Sequence, residues 1–206
     1  MSDRSPSDPP ATGGTPGAAS KFLLVGLGNP GPRYSATRHN VGFMVLDLLS
    51  ARVGGAFKTH KSRCDVLEGR LAGVPVVLAK PRSYMNESGG PVNAAAQFYK
   101  IATTDIVVVH DELDLPYGDI RLKRGGGEGG HNGLRSMSSA LGSKEYVRVR
   151  FGIGRPPGRQ DPADYVLREF VASERKELDY LVDRAADAVE AVLNVGLVAA
   201  QNTYHA

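Results

Sequence analysis

The stretch KFLLVGLGNPGPRYSATRHNVGF, Lys21 to Phe43, decides the fold. A short apolar run, FLLVG, meets a glycine-rich turn. A helical pattern follows, in which Val41, Met44, Val45, Leu48 and Leu49 recur at helical spacing until Gly54 and Gly55 stop it. A buried strand, a turn and a helix in that order open an α/β unit. Gly26, Gly28 and Gly31 also spell G-x-G-x-x-G, the dinucleotide fingerprint, in which glycine N–H groups and a helix N-terminus face a pyrophosphate. The loop argues against that use. Pro30 and Pro32 have no N–H to donate. The helix starts several residues after the third glycine. The acidic residue expected about 20 positions on is missing, because Asp47 falls inside the helix. The turn reads instead as a rigid mount for Asn29 at the tip of a buried strand.

Outward from this unit, CDVLEGRLAG and VPVVLAK form an antiparallel strand pair turning at Gly73. A helix is expected over Ser88 to Tyr99, with Ala94, Ala95, Phe98 and Tyr99 on one side. DIVVVHDE (105–112) is apolar until it ends in charge, as a central strand with functional residues at its carboxyl end should be. DIRLKR alternates, with one wet face. GGGEGGHNG is a flexible loop leading into the helix LRSMSSALG. YVRVRFGIG places Arg148 and Arg150 on one face and Val147, Val149 and Phe151 on the other. After a RPPGRQDP linker, SERKELDYLVDRAADAVEAVLNV is a long amphipathic helix. Interleaved strands and helices with an antiparallel pair predict an α/β fold: one domain, with a mixed twisted β-sheet flanked by α-helices.

The bulk numbers agree. A chain of 206 residues, 41% hydrophobic and 23% charged, suits one soluble domain with a proper core. A net charge of +3 is too weak to name a nucleic-acid partner by itself. The single cysteine, Cys64, excludes an internal disulfide and a cysteine-based zinc framework, fits a reducing compartment, and sits in a strand where it packs. No apolar run approaches the roughly 20 residues of a membrane helix. Residues 1–20, rich in Ser, Pro and Gly, read as a disordered tail without a signal peptide's apolar region, which leaves residues 21–206 as the domain and a cytoplasmic location as the expectation.

Four loops or strand ends gather polar residues: Asn29; Arg38-His39-Asn40; Tyr84-Met85-Asn86; and His110-Asp111-Glu112 with His131-Asn132. His39 would lie near a helix N-terminus, where the dipole disfavours imidazolium and leaves a neutral general base; it could equally cap or solvate the first turn. Asp111, at the mouth of a buried strand, needs a partner. His39 would serve, although Asp111 also reads as a strand-end cap and Glu112 and Asp114 compete with it. The asparagines could line a neutral cleft or simply make turns. Lys123, Arg124, Arg148, Arg150, Arg155 and Arg159 could build a phosphate site or lie on solvated strand faces. No nucleophile elbow, H-E-x-x-H motif or Walker A loop is present.

Taken together, VGLGNPGPRYSATRHNVGF, KPRSYMNESG, VVHDELDLPYGDIRLKRGGGEGGHNGLRS and RVRFGIGRP, in that order, resemble the bacterial-type peptidyl-tRNA hydrolases from residue 21 to about 204. The resemblance implies hydrolysis of the ester joining a peptide to the terminal ribose of tRNA. It implies a mixed sheet between helices and a monomer that takes peptidyl-tRNA and neither DNA nor a membrane. It implies no cofactor and no metal. It carries the catalytic histidine of TRHN onto His39, its aspartate partner onto Asp111, and the substrate asparagines onto Asn29, Asn86 and Asn132. Asn29 foremost would hold the water or the oxyanion. Tyr34 and Met85 would pack around the scissile end, and Lys123 and Arg150 would clamp a phosphate. Glu128 stands where relatives can carry His. The rivals are a non-catalytic RNA-binding relative and, less economically, a dinucleotide-dependent oxidoreductase.

Overall fold

Leu23, Leu24 and Val25 have no exposed surface, as a strand apolar on both faces requires. They belong to β1 (Phe22–Gly26), which lies near the middle of a seven-stranded sheet. The computed structural model describes residues 20–205, so all but the last residue of the expected 1–20 tail lies outside the described residues. The remaining strands are β2 (Lys58–Thr59), β3 (Cys64–Leu71), β4 (Val74–Pro81), β5 (Ile106–Glu112), β6 (Ile120–Arg124) and β7 (Val147–Gly152). The order is β2-β3-β4-β1-β5-β7-β6. β4, β1, β5 and β7 run parallel, while β2–β3, β3–β4 and β6–β7 pair antiparallel. The β3–β4 hairpin turns where expected, with Ala72 and Gly73 both at positive φ, the backbone a tight two-residue turn needs.

Helices α1 (Val41–Val53) and α5 (Ala172–Tyr204) cover one face, burying Val45, Leu49 and Val189 against Leu24, Val107 and Phe151. Helices α2 (Gly89–Phe98) and α3 (Asn132–Leu141) cover the other, with Val92 and Met137 against Val25, Val77 and Val108. Cys64 belongs to this second core, and burial pushes its thiol up to about 12, so it packs as an inert hydrophobe.

Three local expectations need correction. The buried side of α2 is Pro91, Val92, Ala95 and Ala96; Ala94 is exposed, and Phe98 is 48% exposed and sits edge-on to His60. The α5 helix runs past Val195 to Tyr204, through a kink at Gly196 with φ 80°, because Leu197, Ala200 and Tyr204 still have core to cover. The RPPGRQDP linker ends in a short helix, α4 (Pro162–Val166), opened by Pro162 and capped by the Asp161 carboxylate, which accepts from Ala163 N–H.

Two glycines of the opening stretch explain why the fold needs them there. A Cβ on Gly42 would collide with Val109 O and Leu27 N, and one on Gly26 would collide with Gly42 O. The start of α1 therefore lies directly on the carboxyl ends of β1 and β5. That contact brings His39 to Asp111.

Candidate active site

His39 sits in a single 3-10 turn, Arg38–Asn40, that leads into α1. Its neighbours hold the turn from both sides. Thr37 Oγ1 donates to Tyr34 O at 2.8 Å. Arg38, 3% exposed, donates to Glu169 O and pairs with Glu174, each at 2.8 Å, and its guanidinium lies 4.2 Å from the Tyr165 ring centroid. Asn40, 1% exposed, clamps the Asn29 main chain: Oδ1 accepts from Asn29 N–H at 2.8 Å and Nδ2 donates to Asn29 O at 2.9 Å. The GNPG turn and the TRHN turn are thus one unit.

Asp111, 3% exposed at the end of β5, carries two imidazoles. His39 Nδ1 lies 2.9 Å from Oδ2 and 3.0 Å from Oδ1, and His131 Nε2 lies 3.0 Å from Oδ1. The tautomers follow from the partners. His131 caps α3, its Nδ1 accepting from Gly133 and Leu134 N–H at 3.1 and 3.3 Å, so its proton is on Nε2 and is donated to Asp111. His39 donates Nδ1–H to the same carboxylate, which leaves its Nε2 lone pair as the basic atom. Burial alone would raise the Asp111 carboxyl, but the two imidazoles hold it well below the usual carboxylate range. Burial likewise works against a charged His39; the Asp111 charge and hydrogen bond outweigh it, so His39 is a stronger base than an ordinary histidine. The expectation that a helix dipole would set the state of His39 is corrected: the carboxylate 2.9 Å away dominates a dipole that reaches it only through a 3-10 turn.

A cavity of about 150 Å³ opens on this pair, lined by His39, Asp111, Glu112, His131, Asn132 and Val166 among others. Asn132 therefore joins His39 directly. Asn29 faces a second cavity of about 440 Å³, with Asn40, Ser35 and Lys80, which shares no lining residue with the first. Its Oδ1 accepts from Met85 N–H at 2.7 Å, so Nδ2 is the end left to meet another group among the described residues. Met85 is 4% exposed and belongs to the core, which corrects the expectation that its side chain packs around a substrate end; its main chain orients Asn29 instead. Asn86 is exposed beside it and lines neither cavity. Tyr34 is half-buried with its ring edge-on to Tyr84, centroids 6.3 Å apart, and lines neither cavity.

Lys123 lies opposite Arg148, and Arg121 opposite Arg150, on the β6–β7 pair, so four cations share one face. Arg150 Nε lies 3.2 Å from Glu112 Oε2. Partial burial, then Arg150 and Arg148, lower Lys123 below the usual lysine range, the mark of crowded positive charge. The solvated-face alternative fails for Arg148, which is 2% exposed.

His39, Asp111 and His131 also offer donor atoms within 4.8 Å of one another, a set that could hold a divalent ion. In the hydrogen-bonded arrangement both imidazole N–H groups facing the carboxylate are already used. The functional roles of His131 and Asn40 were missed in the sequence. Histidine is not among the favoured helix caps, and Asn40 occupies a cap position without making a capping bond.

The family model described as Peptidyl-tRNA hydrolase matches residues 23–206. The peptidyl-tRNA hydrolase of Frankia casuarinae is 61% identical over 192 residues, 93% of this chain and 98% of the relative. That of Nocardia farcinica is 65% identical over 184 residues, 89% and 95% respectively. The crystal structure of peptidyl-tRNA hydrolase from Acinetobacter baumannii superposes with a TM-score of 0.85 at 37% identity, covering 92% of this chain and 98% of that one.

Proposed function

The chain belongs to the peptidyl-tRNA hydrolase family and hydrolyses the ester between a peptide and the terminal ribose of tRNA, and we propose that His39 is the general base that activates the water. The observation that carries this is the His39 Nδ1–H···Asp111 bond at 2.9 Å, which aims an unprotonated Nε2 into the cavity. Nε2 takes a proton as the water oxygen attacks the ester carbonyl. Asp111 stabilises the imidazolium that forms. The tetrahedral intermediate collapses, the acyl C–O bond breaks, and the imidazolium returns the proton to the departing ribose oxygen. General-base assistance of this kind contributes about 10²–10⁴ in rate. Asn29 Nδ2, the donor left over once Oδ1 accepts from Met85, holds the water or the developing oxyanion in this reading, at about 10²–10³ for such a donor.

Selectivity for a blocked amine follows from a lining with no free countercharge, since Asp111 is paired with His39 and His131 and Glu112 with Arg150. A free α-ammonium is strongly hydrated and finds no countercharge among asparagines, whereas a peptide amide finds donors and acceptors in Asn132 and, at the exposed rim, Asn86. Tyr34 meets the substrate outside either cavity. Lys123 and Arg150 grip a tRNA phosphate, with Arg121 beside them on the same face. Among the described residues no helix is long and apolar enough to cross a membrane. A cytoplasmic monomer that takes RNA and not DNA fits this reading. Release of peptide from N-acetyl-aminoacyl-tRNA, beside the unblocked ester, tests it: preference for the blocked substrate is expected, and equal rates would overturn this account of selectivity.

A further inference from the structure

Arg148 is the second residue of β7 and is 2% exposed, yet its guanidinium meets main-chain oxygens rather than a carboxylate. Nη1 donates to Gly127 O at 2.7 Å and Nη2 to Gly126 O at 3.0 Å. The Tyr146 ring centroid lies 5.0 Å away, and Nε has no partner among the described residues. Burying a guanidinium without a countercharge is unfavourable, so the two carbonyl bonds should secure something of value. The segment they hold is awkward to order. Gly125, Gly126, Gly129 and Gly130 all have left-handed φ, at 66°, 86°, 58° and 79°. Glycine there loses the most conformational freedom on ordering. Directly after it come His131, bonded to Asp111, and Asn132, which lines the cavity.

We infer that Arg148 is a positioning residue: it fastens the glycine-rich loop to the sheet from beneath, so that His131 and Asn132 arrive at Asp111 and the cavity in register. This corrects the reading of GGGEGGHNG as simply flexible, since its front half is tied to β7. The planar fork is essential, because a lysine at the same place has one point charge and cannot span two carbonyls with fixed geometry. Arg148 does not touch the RNA, being buried, and so differs from Lys123 and Arg150 on the same face.

The inference rests on the proposed roles of His131 and Asn132, and its test separates the two. Arg148→Lys and Arg148→Met should both lower single-turnover cleavage of N-acetyl-aminoacyl-tRNA, on the order of 10²-fold for a site misplaced by about 1 Å. Affinity for the tRNA and its salt dependence should not move. Amide hydrogen exchange should quicken over Gly126 to His131 while the amides of α5 keep their wild-type rates. Unchanged loop exchange, or weakened binding with a flatter salt slope, would overturn the inference. Should either variant fail to fold, the wild-type enzyme decides by nitrogen NMR: resolved, slowly exchanging Arg148 Nη protons are expected, and freely averaging ones would overturn it. An active His39→Ala variant would defeat the catalytic reading and leave the exchange result standing.

Discussion

His131 donates Nε2–H to Asp111 at 3.0 Å, on the same carboxylate that holds His39 Nδ1 at 2.9 Å. One buried charge therefore orients two rings, and only one of them, His39, has its other nitrogen free among the described residues. The division of labour follows from the backbone: the Nδ1 of His131 is occupied by the start of α3.

Removing the Asp111 carboxylate and removing its second partner, His131, should move the pH profile of His39 in opposite directions. His39 must be unprotonated to act, and Asp111 raises its pKa, so kcat/KM should fall as pH drops through a value above the ordinary histidine value of about 6.5. Asp111→Asn removes the raising charge. The acid limb should move down, with kcat reduced by about 10²–10⁴. His131→Ala removes a donor that competes for the carboxylate. The limb should move up, with a loss of roughly tenfold, the worth of one hydrogen bond to a charged group at about 1.5 kcal/mol. Parallel shifts in the two profiles would contradict the shared-carboxylate arrangement.

A chelator should leave cleavage unchanged. Both imidazole N–H groups at Asp111 are used in hydrogen bonds, and nitrogen NMR should find the proton of His39 on Nδ1 and that of His131 on Nε2. Activity lost on chelation and restored by a divalent cation would instead make this triad a metal site.

The RNA contribution of Lys123 and Arg150 is read in salt. Replacing both with alanine should flatten the log–log dependence of binding by roughly 0.7 to 1.4 units, at about 0.7 per phosphate contact on a single strand. An unaltered slope would place the clamp elsewhere.

His110, next to Asp111 in the chain, provides a stability test. It is buried, its Nδ1–H donates to Asp111 O at 2.7 Å, and its Nε2 has no partner among the described residues. Burial first, then His131 nearby, lower its pKa to about 3. Between about pH 6.5 and that value the unfolded chain binds the proton and the folded one does not, so stability falls with pH. The contribution of His39, whose pKa is raised, changes only above about 6.5, and that of Asp111, whose pKa is lowered, only below about 4, so neither masks the window. The contribution of His110 to urea unfolding should fall by roughly 1.5 kcal/mol from pH 6.5 to 5, at up to 1.36 kcal/mol per unit, and His110→Gln should flatten that decline. Equal slopes in the two proteins would count against a buried neutral His110.

The central strands were legible because burial on both faces writes an uninterrupted apolar run, as in FLLVG and IVVVH, and charge at the end of such a run marks where solvent begins. Asp111 was legible as a candidate for that reason and His39 from its place ahead of a helix, and the structure brings them within 2.9 Å. Other features depend on packing that no local pattern records. The exposed side of α2 is set by the close approach of Gly89 to Ser136, and a Cβ on Gly89 would collide with the Ser136 carbonyl. The expected helix ended at Val195, but apolar residues beyond Gly196 still find the core. Arg148 alternates with Val147 and Val149 like any wet-face residue; only the loop folded over it buries it. Asn29 and Met85 were read as substrate contacts, whereas the chain also uses each to place the other.

The most direct measurement is single-turnover cleavage of N-acetyl-aminoacyl-tRNA by His39→Ala, with binding followed separately. The expected result is affinity close to wild type and a rate lower by about 10²–10⁴. Cleavage near the wild-type rate would contradict His39 as the base.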